Sequence, residues 1–351
     1  MTGSASVLQL ISDTDGVRGA QVAALELADA LRARGTSIRT VALRRGTSAK
    51  VLDVPVLGRG HRRGAVKAAR VVLAAGSTTL WTAPLATIGT GRGFVYRSIG
   101  DASAWAHDPL RRARYRAAIS RAAGVVVLWP GAVDAMADRF GVDRERIAVI
   151  PQAAPVDRFP VVTADRRAEA RRSLGISADA SIALFLGSLS AEKQIDVAID
   201  AIADLADIEL VVAGDGPLAA ELRAHAERVA PGRVRFLGAV DDPRPALAAA
   251  DLVVLASRTE GVPGVVVEAG LTGLPTVATA VGGVSSVVVD GVTGVLVPSG
   301  DASALRDGID RARRDPSLGP AARTHCVGAF TLDAVVERWQ AVLDAAMTTM
   351  A

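Results

Sequence analysis

Two glutamates flanking a glycine- and proline-rich turn carry the clearest chemistry in this sequence. The stretch Ser257–Gly273 reads SRTEGVPGVVVEAGLTG, and seven residues separate Glu260 from Glu268. We expect Glu260 to lie in a strand-to-helix loop and Glu268 to lie in the first turns of a helix that starts near Val265. A glycine turn beside a helix N-terminus presents unpaired N–H groups and a positive dipole end, which suits a diphosphate. The carboxylates would accept hydrogen bonds from sugar or ribose hydroxyls; alternatively, both are ordinary surface charges.

A second group of residues adds a cation and further glycine turns. In FLGSLSAEKQID, Gly187 ends a predicted strand and Lys193 precedes a predicted helix, where an ammonium group can neutralise phosphate. The runs LVVAGDGP and VRFLGAVDD also end predicted strands in glycine, and TAVGGVSS adds Gly282 and Gly283. Glycine has no side chain, so a ligand can approach the backbone closely at each of these strand ends.

The elements that must position these residues alternate between strand and helix. Apolar runs such as Val7–Ile11 and Thr79–Thr82 are predicted strands, and Gln21–Arg34 has helical spacing. The proline-rich segment Pro151–Thr163 interrupts the alternation, which restarts at Ala183–Leu186. The pattern predicts two doubly wound parallel α/β domains with ligands at the carboxyl ends of the strands. The predicted domains are 1–160 and 161–330, with a C-terminal helix in 331–351 that crosses back to the first domain.

Composition narrows the class of protein. The chain has 351 residues, half of them hydrophobic, and 40 basic against 37 acidic side chains give a net charge of +3, which is too little for a typical nucleic-acid-binding protein. The single cysteine, Cys326, rules out an intrachain disulfide and a cysteine-rich zinc site. Neither a signal peptide nor a run of about 18 apolar residues is present. We therefore expect a cytoplasmic protein.

The order of the motifs resembles a known enzyme family. GSLSAEK, AGDGP, RFLG and EGVPGVVVE follow one another as in retaining GT-B glycosyltransferases of family 4, whose signature is EGxPxxxxE. The opening LQLISDTDGVRGAQ resembles the first strand, glycine-rich loop and first helix of that family. The resemblance covers the whole chain. It implies two Rossmann-like domains facing a central cleft and a hexosyltransferase-type activity (EC 2.4) that uses a nucleoside diphosphate sugar, such as a UDP or GDP sugar, without a metal.

The resemblance also implies a role for each matching residue. Glu268 would hold the ribose hydroxyls, Lys193 the diphosphate, and Glu260 the donor sugar. Glu260 and Lys193 are predicted catalytic residues, together with Asp101 and His107 of the first domain. Further donor-binding residues are predicted from the glycine loops: Gly16, Gly19, Ser188, Gly238, Gly261, Val262, Pro263, Gly264 and Val265.

The sequence departs from the family pattern at several positions. Ser188 stands where the family usually has arginine, so one cationic phosphate contact is missing, and Arg18 or Arg97 would have to replace it. Arg18 also precedes Gly19 where a pair of glycines is usual. In the region FVYRSIGDASAW, where many relatives have a histidine, none occurs before His107. Serines replace the glutamate that often follows the GG loop. These departures put turnover and donor identity in more doubt than nucleotide binding.

The first domain offers candidates for an acceptor site. Asp101 and Arg97 follow a predicted strand, and His107 is either a base or an ordinary loop histidine. Tryptophans are scarce in the sequence, and three of the four lie in this domain. We expect Trp81, Trp105 and Trp129, together with Arg97, to line a pocket for an apolar or ring-shaped acceptor; alternatively, the tryptophans simply pack against helices.

Two further patterns have competing interpretations. Asp13-Thr14-Asp15 resembles a metal-binding DxD, although a polar loop capping the first helix is the better reading. One predicted helix carries a basic run that would give peripheral contact with an anionic membrane, or simply a solvated face. The residues of that run are Arg111, Arg112, Arg114 and Arg116.

The sequence leaves three classes of acceptor open: a small molecule, a lipid or a glycan. We expect front-face displacement with retention, because the first domain offers no clear carboxylate nucleophile. Two rival functions remain: a sugar-nucleotide epimerase on the same fold and a non-catalytic sugar-nucleotide-binding protein. The first would need paired acid–base residues facing the sugar.

Overall fold

The computed structural model describes residues 6–15, 19–46, 51–101 and 108–348, and these form two compact units. The first unit comprises residues 1–153 together with 332–351, and the second comprises residues 154–331. The chain therefore leaves the first unit once and returns to it with its last helix.

The first unit is built on a six-stranded parallel sheet with strand order β2-β1-β3-β4-β5-β6. Its strands are short and mostly buried, as expected when helices cover both faces of a parallel sheet. They are β1 (Val7–Ile11), β2 (Ile38–Ala42), β3 (Val71–Ala75), β4 (Gly93–Arg97), β5 (Gly124–Val127) and β6 (Ile147–Val149).

Helices surround this sheet, and the last one comes from the C-terminus. They are α1 (Gly19–Ala33), α2 (Arg62–Ala68), α3 (Ser77–Thr87), α4 (Pro109–Ile119), α5 (Gly131–Asp134, continued by a π turn over Ala135–Arg139) and α13 (Leu332–Thr348). Trp339 of α13 is 1% exposed and packs in one core cluster with Val95, Val126 and Leu27. The apolar stripe of the final helix thus belongs to the core of the first unit.

One predicted strand is wrong. Residues Thr79–Thr82 lie inside helix α3, and the strand is the preceding run Val71–Ala75. Two adjacent threonines favour a strand through their β-branched side chains. The helix forms nevertheless because its chain must cross from β3 to β4, which pair in parallel. As a result, Trp81 is a helix residue and does not belong to a strand.

The second unit repeats the architecture with strand order β12-β11-β10-β7-β8-β9, again all parallel. Its strands are β7 (Ile182–Leu186), β8 (Glu209–Ala213), β9 (Val234–Gly238), β10 (Leu252–Leu255), β11 (Thr276–Thr279) and β12 (Gly294–Val297). Its helices are α6 (Ala164–Ser173), α7 (Ile195–Ala203), α8 (Ala219–Val229), α9 (Arg244–Ala249), α10 (Gly264–Thr272), α11 (Ala302–Arg314) and α12 (Leu318–Ala329).

The strand order of this second sheet brings together the loops that carry the motifs. Strand β7 lies between β10 and β8, so the loop after β7 neighbours the loops after both. The first of these loops contains Lys193, and the loop after β10 contains Glu260. Parallel strands end at the same edge of the sheet, where ligands of such folds bind. Within the described residues, no helix is long and apolar enough to cross a membrane.

Candidate functional site

An ion pair joins the two motif-bearing loops of the second unit. The Lys193 ammonium Nζ lies 2.5 Å from Glu260 Oε1, and the side chains are 23% and 10% exposed. Ser257 donates its hydroxyl hydrogen to the same carboxylate oxygen at 2.7 Å. The sequence motifs gave Lys193 and Glu260 separate roles and did not predict this contact across 67 positions. Ser257 was also missed, although it opens the SRTEG motif three residues before Glu260.

Backbone contacts fix the position of Lys193 in this pair. Lys193 ends a 3₁₀ turn, Ala191–Lys193, and the amide of Arg258 donates to the Glu192 carbonyl at 2.7 Å. Gln194 then adopts a left-handed conformation with φ of 46°, the one positive φ at a non-glycine residue in the part of the chain described. A left-handed non-glycine residue is strained, and such strain often accompanies functional sites. Gln194 therefore ends the 3₁₀ turn after Lys193, and helix α7 begins at the next residue, Ile195.

Glycines allow the surrounding loops to pack against the Glu260 segment. Gly282 has φ of +53°, and a Cβ placed there would lie 1.9 Å from the Glu260 carbonyl oxygen. The amide of Gly283 donates to the Gly261 carbonyl at 3.0 Å. A Cβ at Gly214 would similarly lie 1.8 Å from the Gly187 carbonyl oxygen. These glycines are therefore required by close backbone contact between loops, in addition to any approach of a ligand.

The start of helix α10 supplies the remaining polar groups. The helix begins at Gly264 after Pro263, and no side chain caps it. The first N–H groups of a helix have no partner within the helix. The Glu268 side chain is half-buried, and its Oε1 would lie 3.9 Å from a Cβ on Gly264, so its carboxylate borders this N-terminus. The Lys193 ammonium, the start of helix α10 and two carboxylates thus lie on neighbouring loops at one edge of the sheet.

The other predicted donor residues of this unit occupy the same loops. Ser188 is exposed and directly follows Gly187 in the loop after β7. The Gly238 carbonyl accepts a hydrogen bond from the Gly214 amide at 2.8 Å. Val262 and Pro263 are buried, whereas Gly261 and Val265 are partly exposed. Their assignment to a donor stays a prediction.

In the first unit, Arg97 is a buried cation. It is 3% exposed, its Nη2 donates to Gln152 Oε1 at 2.8 Å, and its guanidinium carbon lies 5.5 Å from the centre of the Trp339 ring. Nε and Nη1 have no hydrogen-bond partner among the described residues. Burial lowers the pKa of Arg97 to about 10. The side chain is therefore enclosed in the structure, and its predicted acceptor role stays a prediction.

The tryptophans of this unit lie in different environments. Trp81 is partly exposed on helix α3, and its ring lies 4.7 Å from that of Tyr115. Trp129 is 8% exposed and packs beside Gly131. Asp101 is partly exposed after strand β4. A shared acceptor pocket for these residues stays a prediction.

The Asp13 carboxylate is occupied by internal contacts. It is 1% exposed and accepts hydrogen bonds from Gln21 Nε2 at 2.8 Å and Arg44 Nη2 at 3.0 Å. This matches the polar-loop reading of Asp13-Thr14-Asp15. No group of three or more metal-ligating His, Cys, Asp or Glu side chains occurs in the described ranges.

Four predicted positions lie outside the described residues, and Gly19 starts helix α1 directly after one such gap. These four are Gly16, Arg18, Trp105 and His107.

Comparison with known proteins finds a family match in the second unit. Residues 180–315 match the glycosyl transferases group 1 family. An alpha-D-kanosaminyltransferase of Streptomyces kanamyceticus is 32% identical over 218 residues, which are 60% of this chain and 56% of that protein. A D-inositol 3-phosphate glycosyltransferase of Geodermatophilus obscurus is 35% identical over 237 residues, covering 62% and 51% respectively. The chain thus spans about half the length of these curated relatives.

A solved structure shows the same fold over almost the whole chain. The crystal structure of Anabaena Alr3699/HepE in complex with UDP and glucose matches with a TM-score of 0.87 at 21% sequence identity, covering 97% of this chain and 100% of that one. The expectation of two parallel-sheet Rossmann-like units is confirmed. The chain has a GT-B-like fold, and residues 180–315 of its second unit match the glycosyl transferases group 1 family.

Proposed function

We propose that this protein is a retaining glycosyltransferase that moves a sugar from a nucleoside diphosphate sugar to an acceptor hydroxyl. The observation that carries the proposal is the Lys193–Glu260 pair, 2.5 Å apart, at the sheet edge where the uncapped helix α10 begins and the Glu268 carboxylate lies. This arrangement offers a cation and the positive end of a helix for a diphosphate, and carboxylates for hydroxyl groups.

The diphosphate is the group that the charges suit best. Helix α10 directs its positive dipole end at this edge and has no acidic residue in its first turn. Lys193 adds a mobile ammonium, which is partly exposed and can turn from Glu260 towards an incoming phosphate. As the glycosidic bond to the diphosphate breaks, these donors stabilise the charge on the leaving group.

The two carboxylates suit the sugar parts of the donor. Glu268 would accept hydrogen bonds from the ribose hydroxyls, and Glu260 would accept them from the donor sugar, with Ser257 and Lys193 holding its orientation. The related solved structure contains UDP and glucose, and the curated relatives are glycosyltransferases. These comparisons support a sugar-nucleotide donor here, with a UDP sugar as the first choice.

The rest of the reaction follows from the same chemistry. The leaving diphosphate oxygen would take the acceptor proton while the acceptor oxygen attacks on the same face, so that no protein nucleophile and no cofactor is needed. The acceptor is a small molecule, a lipid or a glycan. Location in the cytoplasm, with peripheral contact at the inner membrane face through the basic helix α4, remains part of the proposal.

A donor screen tests the function. The protein is heated with UDP-, GDP- and dTDP-sugars, and the matching donor at about 100 times its Kd should stabilise the fold by about 2.7 kcal/mol. Glu268→Ala and Lys193→Ala should each reduce the shift, whereas Asp179→Asn, an exposed carboxylate on the loop before β7, should keep it. If no nucleotide sugar shifts the melting temperature, or if Glu268→Ala leaves both affinity and turnover unchanged, the proposal fails.

A further inference from the structure

A second candidate site lies within the first unit. A cavity of about 390 Å³ is lined by Trp81 of α3 and by residues at the start of α4. Helices α3 and α4 both follow strands of the same parallel sheet, so their first turns lie towards the ligand-binding edge. Among the described residues, the lining consists of Trp81, Asp108, Leu110, Arg111, Arg114 and Tyr115.

The floor of this cavity is aromatic and well supported. The Trp81 and Tyr115 rings lie 4.7 Å apart, and Tyr115 packs edge-on against Phe140 at 6.3 Å. Tyr115 is 2% exposed, whereas Trp81 keeps part of its ring accessible. Leu110, at 71% exposure, adds an apolar rim. Such a surface suits the flat or apolar part of a ligand.

Two cations border the aromatic floor. The guanidinium carbon of Arg114 lies 5.5 Å from the centre of the Trp81 ring, a cation–π arrangement that holds the charge over the cavity. Neither the Arg111 nor the Arg114 guanidinium has an ion-pair partner among the described residues. Asp108, the one carboxylate among the described lining residues, accepts a hydrogen bond at 2.7 Å from the Arg111 backbone amide, because it caps helix α4.

We propose that this cavity binds an anionic group, a phosphate or a carboxylate, attached to a planar or apolar body. Arg111 and Arg114 would bind the anion, and Trp81 would pack against the body. If the proposed function holds, this ligand is the acceptor, so the acceptor carries a negative charge; only that identification rests on the proposed function. A soluble ligand and a lipid headgroup share this chemistry, and the aromatic floor, on which a flat ring can pack, favours a soluble one.

Titration calorimetry with phenyl phosphate tests the site directly, without any donor. Wild-type protein should bind phenyl phosphate more tightly than inorganic phosphate, because only the former has a ring to pack on Trp81. The Arg111→Gln/Arg114→Gln variant should bind it at least about tenfold more weakly, as expected for lost charge-assisted hydrogen bonds. Trp81→Leu should remove the preference for phenyl phosphate over inorganic phosphate.

A matched variant controls for net charge. Arg116→Gln/Arg121→Gln removes two charges from the same part of the chain, but Arg116 lies over Gly141 and neither residue lines the cavity. This control should bind phenyl phosphate as wild type does. Absence of binding by wild-type protein, or equal weakening in both double variants, overturns the proposal.

Two further arms separate the alternatives. Co-sedimentation with phosphatidylglycerol vesicles should show that the two double variants lose vesicle binding equally. If only the Arg111/Arg114 variant loses vesicle binding, and wild-type protein does not bind phenyl phosphate, the two arginines bind a lipid surface and the proposal is overturned. UDP-glucose is titrated into the same preparations. Donor binding without phenyl phosphate binding refutes this inference alone, whereas the reverse result refutes the donor assignment and supports the anion site.

Discussion

Glu260→Gln and Lys193→Met should change UDP affinity in opposite directions. In the structure the Lys193 ammonium is neutralised by Glu260 at 2.5 Å, so the diphosphate must compete with a carboxylate for its cation. Glu260→Gln removes that charge and keeps the shape of the side chain, and its amide oxygen can still accept from Ser257. Lys193→Met removes the cation and leaves the Glu260 carboxylate facing the phosphates.

The size of each effect follows from simple electrostatics. A carboxylate about 6 Å from a phosphate charge, in an effective dielectric of about 40 for these partly exposed groups, opposes binding by about 1.4 kcal/mol. Glu260→Gln should therefore tighten UDP binding roughly tenfold. Lys193→Met removes a charge-assisted hydrogen bond of about 1.5–3 kcal/mol and should weaken UDP binding about 10- to 100-fold. Glu260→Gln should nevertheless lower turnover with the sugar donor, because the proposed sugar contact is impaired.

Isothermal titration with UDP measures both effects. Asp179→Asn serves as the carboxylate control and should match wild type, because Asp179 lies in an exposed turn at the opposite edge of the sheet. If Glu260→Gln weakens UDP binding as strongly as Lys193→Met does, the pair does not compete with the phosphate, and the proposed electrostatic role of Lys193 is refuted.

Four further predictions concern stability, and urea denaturation of six variants, two of them controls, checks them. Gly282→Ala should cost at least about 2 kcal/mol because its Cβ would meet the Glu260 carbonyl, whereas Gly232→Ala, with open space around a similar positive φ, should cost about 1 kcal/mol; equal costs would contradict the close contact. Trp339→Ala should lower the free energy of unfolding by about 3–5 kcal/mol, and Leu85→Ala, at an exposed position, by under about 0.5 kcal/mol. Similar losses for the two variants would contradict the core position of Trp339. Arg97→Met should lower stability by no more than about 0.5 kcal/mol, because it removes a buried cation with two unpaired nitrogens; a loss above about 2 kcal/mol would show a partner that this account lacks. Asp13→Ala should cost about 2–3 kcal/mol through the loss of its bonds to Gln21 and Arg44, and a neutral result would contradict that network.

The sequence pattern predicted the architecture well because both units repeat one simple rule. Buried parallel strands read as apolar runs, and the connecting helices read as amphipathic segments, so two parallel sheets could be predicted. The error at Thr79–Thr82 arose where these signals conflict. Helix α3 has no distinct apolar stripe and contains Pro84, so local β-branched residues outweighed the preceding run VVLAA.

The candidate site was predictable as a set of residues but not as a set of contacts. Lys193, Glu260 and Glu268 each belong to a motif that the sequence displays. The direct Lys193–Glu260 contact depends on β7 and β10 being neighbours in the sheet, which no local pattern specifies. The burial of Arg97 under Trp339 likewise depends on the return of the C-terminal helix to the first unit. Contacts between distant segments therefore required the structure.

Hydrogen exchange with and without UDP tests the proposed donor site, because it locates the bound nucleotide on the chain. We expect slower exchange on UDP addition in two segments of the second unit, the loop and 3₁₀ turn over residues 187–193 and the loop and helix start over residues 257–268. Glu268→Ala should diminish this protection under the same conditions. If UDP binds but protects other segments and leaves both of these unchanged, the donor site proposed here is wrong.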